Sequence, residues 1–107
     1  MKTPSPAVVL VVEDEPAMAR GLQMLLQARG YRCDHADSGK MALERIAAAR
    51  PDLVLLDLGL PDIEGLELLR RIRVLDDKLP VLIVTAQDSV ATAIECIRAG
   101  AFHFVSK

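Results

Sequence analysis

The sequence predicts an α/β fold in which four strand–helix units and a closing strand, (βα)4β, form one parallel sheet with helices packed on it. Three observations carry this expectation. The aliphatic runs Val8–Val12 and Val81–Val84 are continuous rather than alternating, as in strands covered on both faces. Segments of helical period follow them, which is the pattern of parallel strands joined by crossover helices. The 107 residues, 51% hydrophobic and 26% charged, suit one domain with a mainly aliphatic core.

Taken in order, Val8–Val12 forms the first strand and ends in acid at Glu13-Asp14-Glu15. Pro16 suits a first helical turn, with Asp14 or Glu15 placed to cap it. Met18, Leu22, Leu25, Leu26 and Arg29 keep the helical period until Gly30 stops it. The stretch from Tyr31 to Ala36 reads as a less apolar second strand at a sheet edge. Ser38 caps a second helix with inner face Ala42, Leu43, Ile46 and Ala47, closed by Pro51. Leu53–Leu56 is a buried third strand ending at Asp57. A loop with Gly59, Pro61 and Gly65 leads to a helix carrying Leu66, Leu69 and Ile72. Pro80 precedes the fourth strand, which ends at Thr85. Asp88 or Ser89 caps a fourth helix, with Val90, Ala93, Ile94 and Ile97 facing inward and Gly100 as its stop. Ala101 to Val105 is the fifth strand, and Ser106-Lys107 follow. A parallel sheet needs helices on both faces, so the chain is expected to be a fragment lacking a final helix, or to have one face covered by a partner.

Composition narrows the function. A formal net charge of −2 provides no basic field for nucleic acid or an anionic membrane. No apolar run approaches the ~20 residues that span a bilayer, and the start of the chain does not resemble a secretion signal. A cytoplasmic protein is expected, with Cys33 and Cys96 as reduced, buried thiols.

The polar residues at the strand ends carry the chemistry. In an open parallel sheet the C-terminal strand ends share one edge, and ligands bind there where strand order reverses. If the order is 2-1-3-4-5, Asp14 and Asp57 lie on adjacent strands about 4.8 Å apart and can share a cation. Lys107 starts on the order of 10 Å from Asp57, within reach of a long side chain. Crowded carboxylates repel, and a divalent cation relieves this; oxygen ligands favour Mg²⁺, with Mn²⁺ as substitute. Glu13, Asp14, Asp57 and the backbone carbonyl near Gly59 are the candidate ligands. Asp57 beside a metal is a credible nucleophile toward phosphorus, with Lys107 and Thr85 positioned to stabilise phosphoryl oxygens.

Glu13-Asp14 after the first strand, Asp57 with Pro61 and Gly65 behind it, Thr85-Ala86, and Lys107 after Phe104 together resemble bacterial response-regulator receiver domains. The resemblance covers residues 1–107 and stops about one helix short of the family's usual end. It implies a flavodoxin-like fold with a five-stranded sheet in order 2-1-3-4-5. It further implies that Asp57 accepts phosphate from a histidine kinase or phosphotransfer protein, with Mg²⁺ held by Glu13, Asp14, Asp57 and the Gly59 carbonyl. Thr85 and Phe104 would be the switch residues, Lys107 would pair with the phosphoryl group, and an output domain outside this segment would respond. The helix-four and strand-five surface is then the candidate homodimer face. His103 stands where the family often has aspartate, and Gly59 and Gln87 stand where it varies its dephosphorylation rate. The run from Asp88 to Ile94 is similar to receivers of ATPase-type transcription activators.

Plainer roles exist for these residues. Asp14 could be a helix cap, Glu13 a solvated strand end, and Thr85 a turn residue. Lys107 could be an ordinary lysine and Phe104 a core aromatic. Tyr31 and Phe102 read as packing residues, and His35 and His103 as surface residues away from the carboxylate edge. The charged runs Glu64–Glu67 and Arg70–Arg73 read as a solvated helix face with charge pairs. Among rival functions, a dehalogenase-type phosphohydrolase needs a general acid where Gly59 stands. A flavodoxin-like cofactor binder would need a phosphate cradle where Glu13-Asp14-Glu15 stand. A receiver-like docking module that is never phosphorylated is the alternative, and it has no physical need for the full set of Asp14, Asp57, Thr85 and Lys107.

Overall fold

The computed structural model describes residues 6–86 and 89–107. Its elements run β1 (Val8–Val12), α1 (Pro16–Ala28), β2 (Arg32–Ala36), α2 (Gly39–Ala48), β3 (Leu53–Leu56), α3 (Gly65–Leu75), β4 (Val81–Thr85), α4 (Val90–Arg98) and β5 (His103–Ser106). All strand pairs are parallel, and the order is β2-β1-β3-β4-β5, as expected. Successive side chains along a strand point to opposite faces, even where the run is continuously apolar. In β1, Leu10 and Val12 point to one core and Val9 and Val11 to the other.

The two faces differ. On one, Leu10, Val12, Val54, Leu56, Val81 and Ile83 pack with Ala42 and Ile46 of α2, Leu68, Leu69 and Ile72 of α3, and Cys96 of α4. On the other, Val9, Val11 and Leu55 meet Leu22 and Leu26 of α1, and an apolar groove of about 470 Å³ runs beside them along Leu53, Leu82 and Val84. Among the described residues α1 is the only helix on that side, so Leu25 stays 55% exposed and Ala19 is the one fully buried residue of the helix. The expected inner face of α1 is therefore mostly half-covered, and Arg29 is exposed.

Helix ends follow sequence with one exception. The Ser38 and Ser89 hydroxyls accept from the N–H groups of Met41 and Thr92, as N-caps should. Glu15 occupies the N-cap of α1, but neither it nor Asp14 makes a side-chain cap bond; Pro16 alone marks that start. The Asp88 alternative for the α4 cap lies outside the described residues. Gly30 and Gly100 take positive φ at the ends of α1 and α4.

Three expectations about packing are corrected. α4 turns Cys96 inward with Thr92, Ala93 and Ala99 half-covered, while Val90, Ile94 and Ile97 face outward. Small side chains let this helix approach α3 and the sheet, which the bulkier branched face would prevent. Phe102 precedes β5 and is 77% exposed, and Tyr31 is also exposed at the rim of the groove; neither is a core residue. Arg73 leaves the solvated face of α3. Its guanidinium donates to the carbonyls of Gly100, Asp76 and Leu79, tying α3 to the turn that ends α4. Glu67 keeps the exposed pairs with Arg70 and Arg71. Cys96 is buried and Cys33 half-buried, both free.

Candidate functional site

The strand ends converge because the ladders continue just past them. The Glu13 N–H donates to the Ala36 carbonyl at 3.0 Å, and the Asp57 N–H to the Val12 carbonyl at 3.0 Å. The Lys107 N–H donates to the Thr85 carbonyl at 2.9 Å, holding the chain after β5 in register with β4. Glu13, Asp57, Thr85 and Lys107 thus arrive together at one edge, on neighbouring strand ends of β1, β3, β4 and β5. Glu13 and Thr85 are buried and Asp57 nearly so, at 2%, 1% and 9% exposure, whereas Asp14 is exposed.

Lys107 reaches Asp57 Oδ2 at 3.1 Å and Glu13 Oε1 at 2.9 Å. The second pairing was not foreseen in the sequence, which assigned Lys107 only to the phosphoryl group. The Gly59 N–H donates to Asp57 Oδ1 at 3.3 Å, so the loop after β3 folds back over the carboxylate. That loop can do so because Gly65 has no side chain: a Cβ there would stand 2.4 Å from Leu58 Cα. Phe104 lies in β5 opposite Ile83, half-buried against the larger core.

The electrostatics follow from burial. Burial and the neighbouring Asp57 push the Glu13 carboxyl from an ordinary 4.5 up to about 7, although Lys107 pulls the other way. Burial also acts to raise Asp57, but hydrogen bonds with Glu13, the Thr85 hydroxyl, the Gly59 N–H and Lys107 outweigh it and hold that carboxyl below its usual range. Burial disfavours the Lys107 charge too, and its bonds to Glu13 and Asp57 more than compensate, so it stays protonated. Burial thus favours the neutral form of Glu13, while its hydrogen-bond partners favour the charged form of Asp57.

Carboxylate oxygens of Glu13, Asp14 and Asp57 lie within 4.8 Å of one another. Glu13 Oε2 is buried without a hydrogen-bond partner among the described residues. A buried oxygen of this kind needs a proton or a cation, and three hard oxygen donors suit Mg²⁺ better than a softer ion. The donor set therefore fits the metal expected from the sequence.

Two contributors were missed. His35, read as a surface residue away from the edge, is half-buried, and its Nε2 lies 2.8 Å from the Glu13 carbonyl oxygen. Asp62 accepts from the N–H groups of Gly39 and Lys40 at 2.9 and 3.0 Å, clamping the loop after Asp57 to the start of α2. An aspartate shortly before a helix suggests a cap for that helix; only the tertiary fold shows that it serves another. His103 is exposed, as expected, and Gln87 lies outside the described residues.

The comparisons with known proteins agree with this geometry. The response regulator receiver domain family model matches residues 9–107. The response regulator MprA of Mycolicibacterium vanbaalenii is 40% identical over 102 residues, covering 95% of this chain and 44% of that protein. The transcriptional regulatory protein BasR of Escherichia coli is 41% identical over 99 residues, covering 92% of this chain and 45% of that protein. The chain thus spans less than half the length of these curated relatives. A receiver domain crystal structure from Methanospirillum hungatei superposes with a TM-score of 0.91 at 29% identity, covering 96% of this chain and 82% of that one. With a family model that matches residues 9–107 and a fold that superposes on a receiver domain, the chain belongs to the response regulator receiver domain family.

Proposed function

We propose that the chain is a phosphorylation-dependent signalling switch whose phosphoacceptor is Asp57. The observation that carries this reading is the Glu13–Asp57–Lys107 cluster: two buried carboxyls and an ammonium within hydrogen-bond reach at a strand end, with Glu13 held up to about 7. Such an arrangement costs stability and has no structural task that a neutral side chain would not perform better.

A carboxylate oxygen of Asp57 attacks phosphorus of a phosphohistidine on a sensor kinase or phosphotransfer protein. The new O–P bond forms as the N–P bond breaks, and the imidazole leaves with the electron pair. Glu13, Asp14, Asp57 and the Gly59 carbonyl hold Mg²⁺, with Mn²⁺ as substitute, which when bound neutralises charge on the phosphoryl oxygens. Lys107 keeps its proton and pairs with the transferred group, and the buried Thr85 hydroxyl turns to it. Thr85 and Phe104 then couple the site to the α4–β5 surface. That surface is the homodimer or partner face, a reading supported by the exposure of Val90, Ile94, Ile97 and Phe102. The segment is one receiver domain, and the phosphoryl signal passes from it to an output domain in transcription control. We infer a cytoplasmic location; no helix among the described residues is long and apolar enough to cross a membrane. The chain assists its own phosphorylation and dephosphorylation and is not an enzyme turning over outside substrates.

Intact-mass spectrometry after incubation with acetyl phosphate tests this, with and without Mg²⁺, on wild type and Asp57→Asn. The expected result is a Mg²⁺-dependent gain of one phosphoryl group that the variant lacks. A folded wild type that gains nothing would favour the docking-module reading instead.

A further inference from the structure

The site's acidic residues leave the sheet at the point where its backbone pairing runs out. The last rung between β1 and β2 is the Glu13 N–H to the Ala36 carbonyl. Past it, β2 turns through Ser38 into α2, and among the described residues no backbone N–H meets the Glu13 carbonyl. The His35 imidazole does so instead, at 2.8 Å from Nε2. A carbonyl only accepts, so Nε2 carries the hydrogen, and the tautomer follows from the contact.

This bond fixes more than one oxygen. The Glu13 carbonyl and the Asp14 N–H belong to one rigid peptide plane. The orientation of that plane fixes the Asp14 N–Cα bond and, together with the Asp14 φ, the direction from which its side chain departs. Asp14 itself is exposed and has no side-chain hydrogen bond among the described residues, so its position beside Glu13 and Asp57 rests on the backbone. The two other acids are anchored by Lys107.

We propose that His35 is a positioning residue for the cation site, holding the Glu13–Asp14 peptide so that the Asp14 carboxylate faces Glu13 and Asp57. This rests on the reading that these three acids bind Mg²⁺. It predicts a metal affinity that depends on a hydrogen-bond donor in β2, a residue that does not touch the metal.

Mg²⁺ titration followed by backbone amide chemical shifts tests it, on wild type, His35→Phe, His35→Gln and Asp14→Asn, with thermal melts confirming that each folds. Phenylalanine keeps the ring and loses the donor; glutamine restores an N–H at a similar reach. His35→Phe should weaken Mg²⁺ binding about tenfold, the low end of the cost of removing an outer-shell partner of a metal ligand. His35→Gln should recover most of that loss. Wild-type affinity in His35→Phe overturns the inference while leaving the metal site intact. Equal losses in the Phe and Gln variants also overturn it, because ring packing rather than the donor would then matter. If wild type and Asp14→Asn show the same absence of Mg²⁺-dependent shifts, the metal site itself fails, and the role of His35 fails with it.

Discussion

The cluster under α2, α3 and α4 and the cluster at the strand ends are both buried, yet they act on stability in opposite directions. In the first, Leu68, Leu69 and Ile72 have no exposed surface and only hydrocarbon side chains, so their burial favours the fold. In the second, Glu13 and Asp57 are buried beside each other, one Glu13 oxygen has no hydrogen-bond partner among the described residues, and the Glu13 carboxyl is pushed up to about 7. This contrast locates the fold's capacity to respond. A group that binds at the strand ends has repulsion to relieve, whereas nothing could bind in the apolar core without breaking it. Moving a two-state surface from 1:99 to 99:1 needs about 5.5 kcal/mol of differential stabilisation, and a site that is unfavourable when empty can supply part of it.

Cutting into each cluster separates them most directly. Ile72→Ala leaves a cavity in the core and should cost about 3 to 4 kcal/mol in urea unfolding. Glu13→Gln removes the repulsion and, in EDTA at pH 8, should instead stabilise by about 1 to 3 kcal/mol. A destabilised Glu13→Gln protein would mean that the pairing of Glu13 with Lys107 outweighs its burial, and the two clusters would then act in the same direction.

The second prediction concerns pH. The folded-state Glu13 carboxyl is raised from 4.5 to about 7, so between those values the native state binds a proton that the unfolded chain does not. Stability from this group is fully present below about pH 4.5 and is lost as pH rises through 7. At about 1.4 kcal/mol per pH unit, the loss in EDTA has a ceiling of about 3 kcal/mol, reached by pH 8. Urea titrations from pH 5 to pH 8 measure it. Saturating Mg²⁺ should flatten the slope, because the cation takes the place of the proton, and Glu13→Gln should abolish it.

How much of this was legible in the sequence depends on the range of the interaction. The strands and the polar residues at their ends, Glu13, Asp14, Asp57, Thr85 and Lys107, could be read because aliphatic runs ending in polar residues are local patterns, whereas the strand order came with the resemblance to receiver domains. The inward face of α4 could not. Periodicity favours Val90, Ile94 and Ile97, and only the close approach of a neighbouring helix selects the smaller Cys96 side. Arg73, Asp62 and His35 escaped for a related reason. Each makes hydrogen bonds to backbone groups far along the chain, and the spacing of side chains carries no record of where distant carbonyls and amides will lie. Glu13 was found as an acid near a metal, but its pairing with Lys107 spans 94 positions and needed the folded sheet.

Asp62 offers the finest test, because it is a carboxylate next to the same site treated in the opposite way. It lies in the loop after Asp57, exposed, and the N–H groups of Gly39 and Lys40 hold its carboxyl below the usual range. It should therefore contribute stability above its unfolded value of 3.8, lost as pH falls through the lower folded value, the reverse of the Glu13 slope. Asp62→Ala removes the carboxylate that accepts from Gly39 and Lys40, leaving the Ser38 cap in place, and should cost about 1 kcal/mol at pH 7, the usual cost of losing an N-terminal carboxylate or hydroxyl partner. The deficit relative to wild type should shrink toward pH 3, as the pH falls below the ordinary carboxyl value of 3.8. Thermal melts at pH 3 and pH 7 measure both. Because the same loop carries Gly59, whose N–H rests on Asp57, the variant should also phosphorylate more slowly with acetyl phosphate. A variant that loses the stability but keeps the wild-type phosphorylation rate would show that the α2 clamp supports the fold alone, and that the Gly59–Asp57 contact holds the loop in place without it.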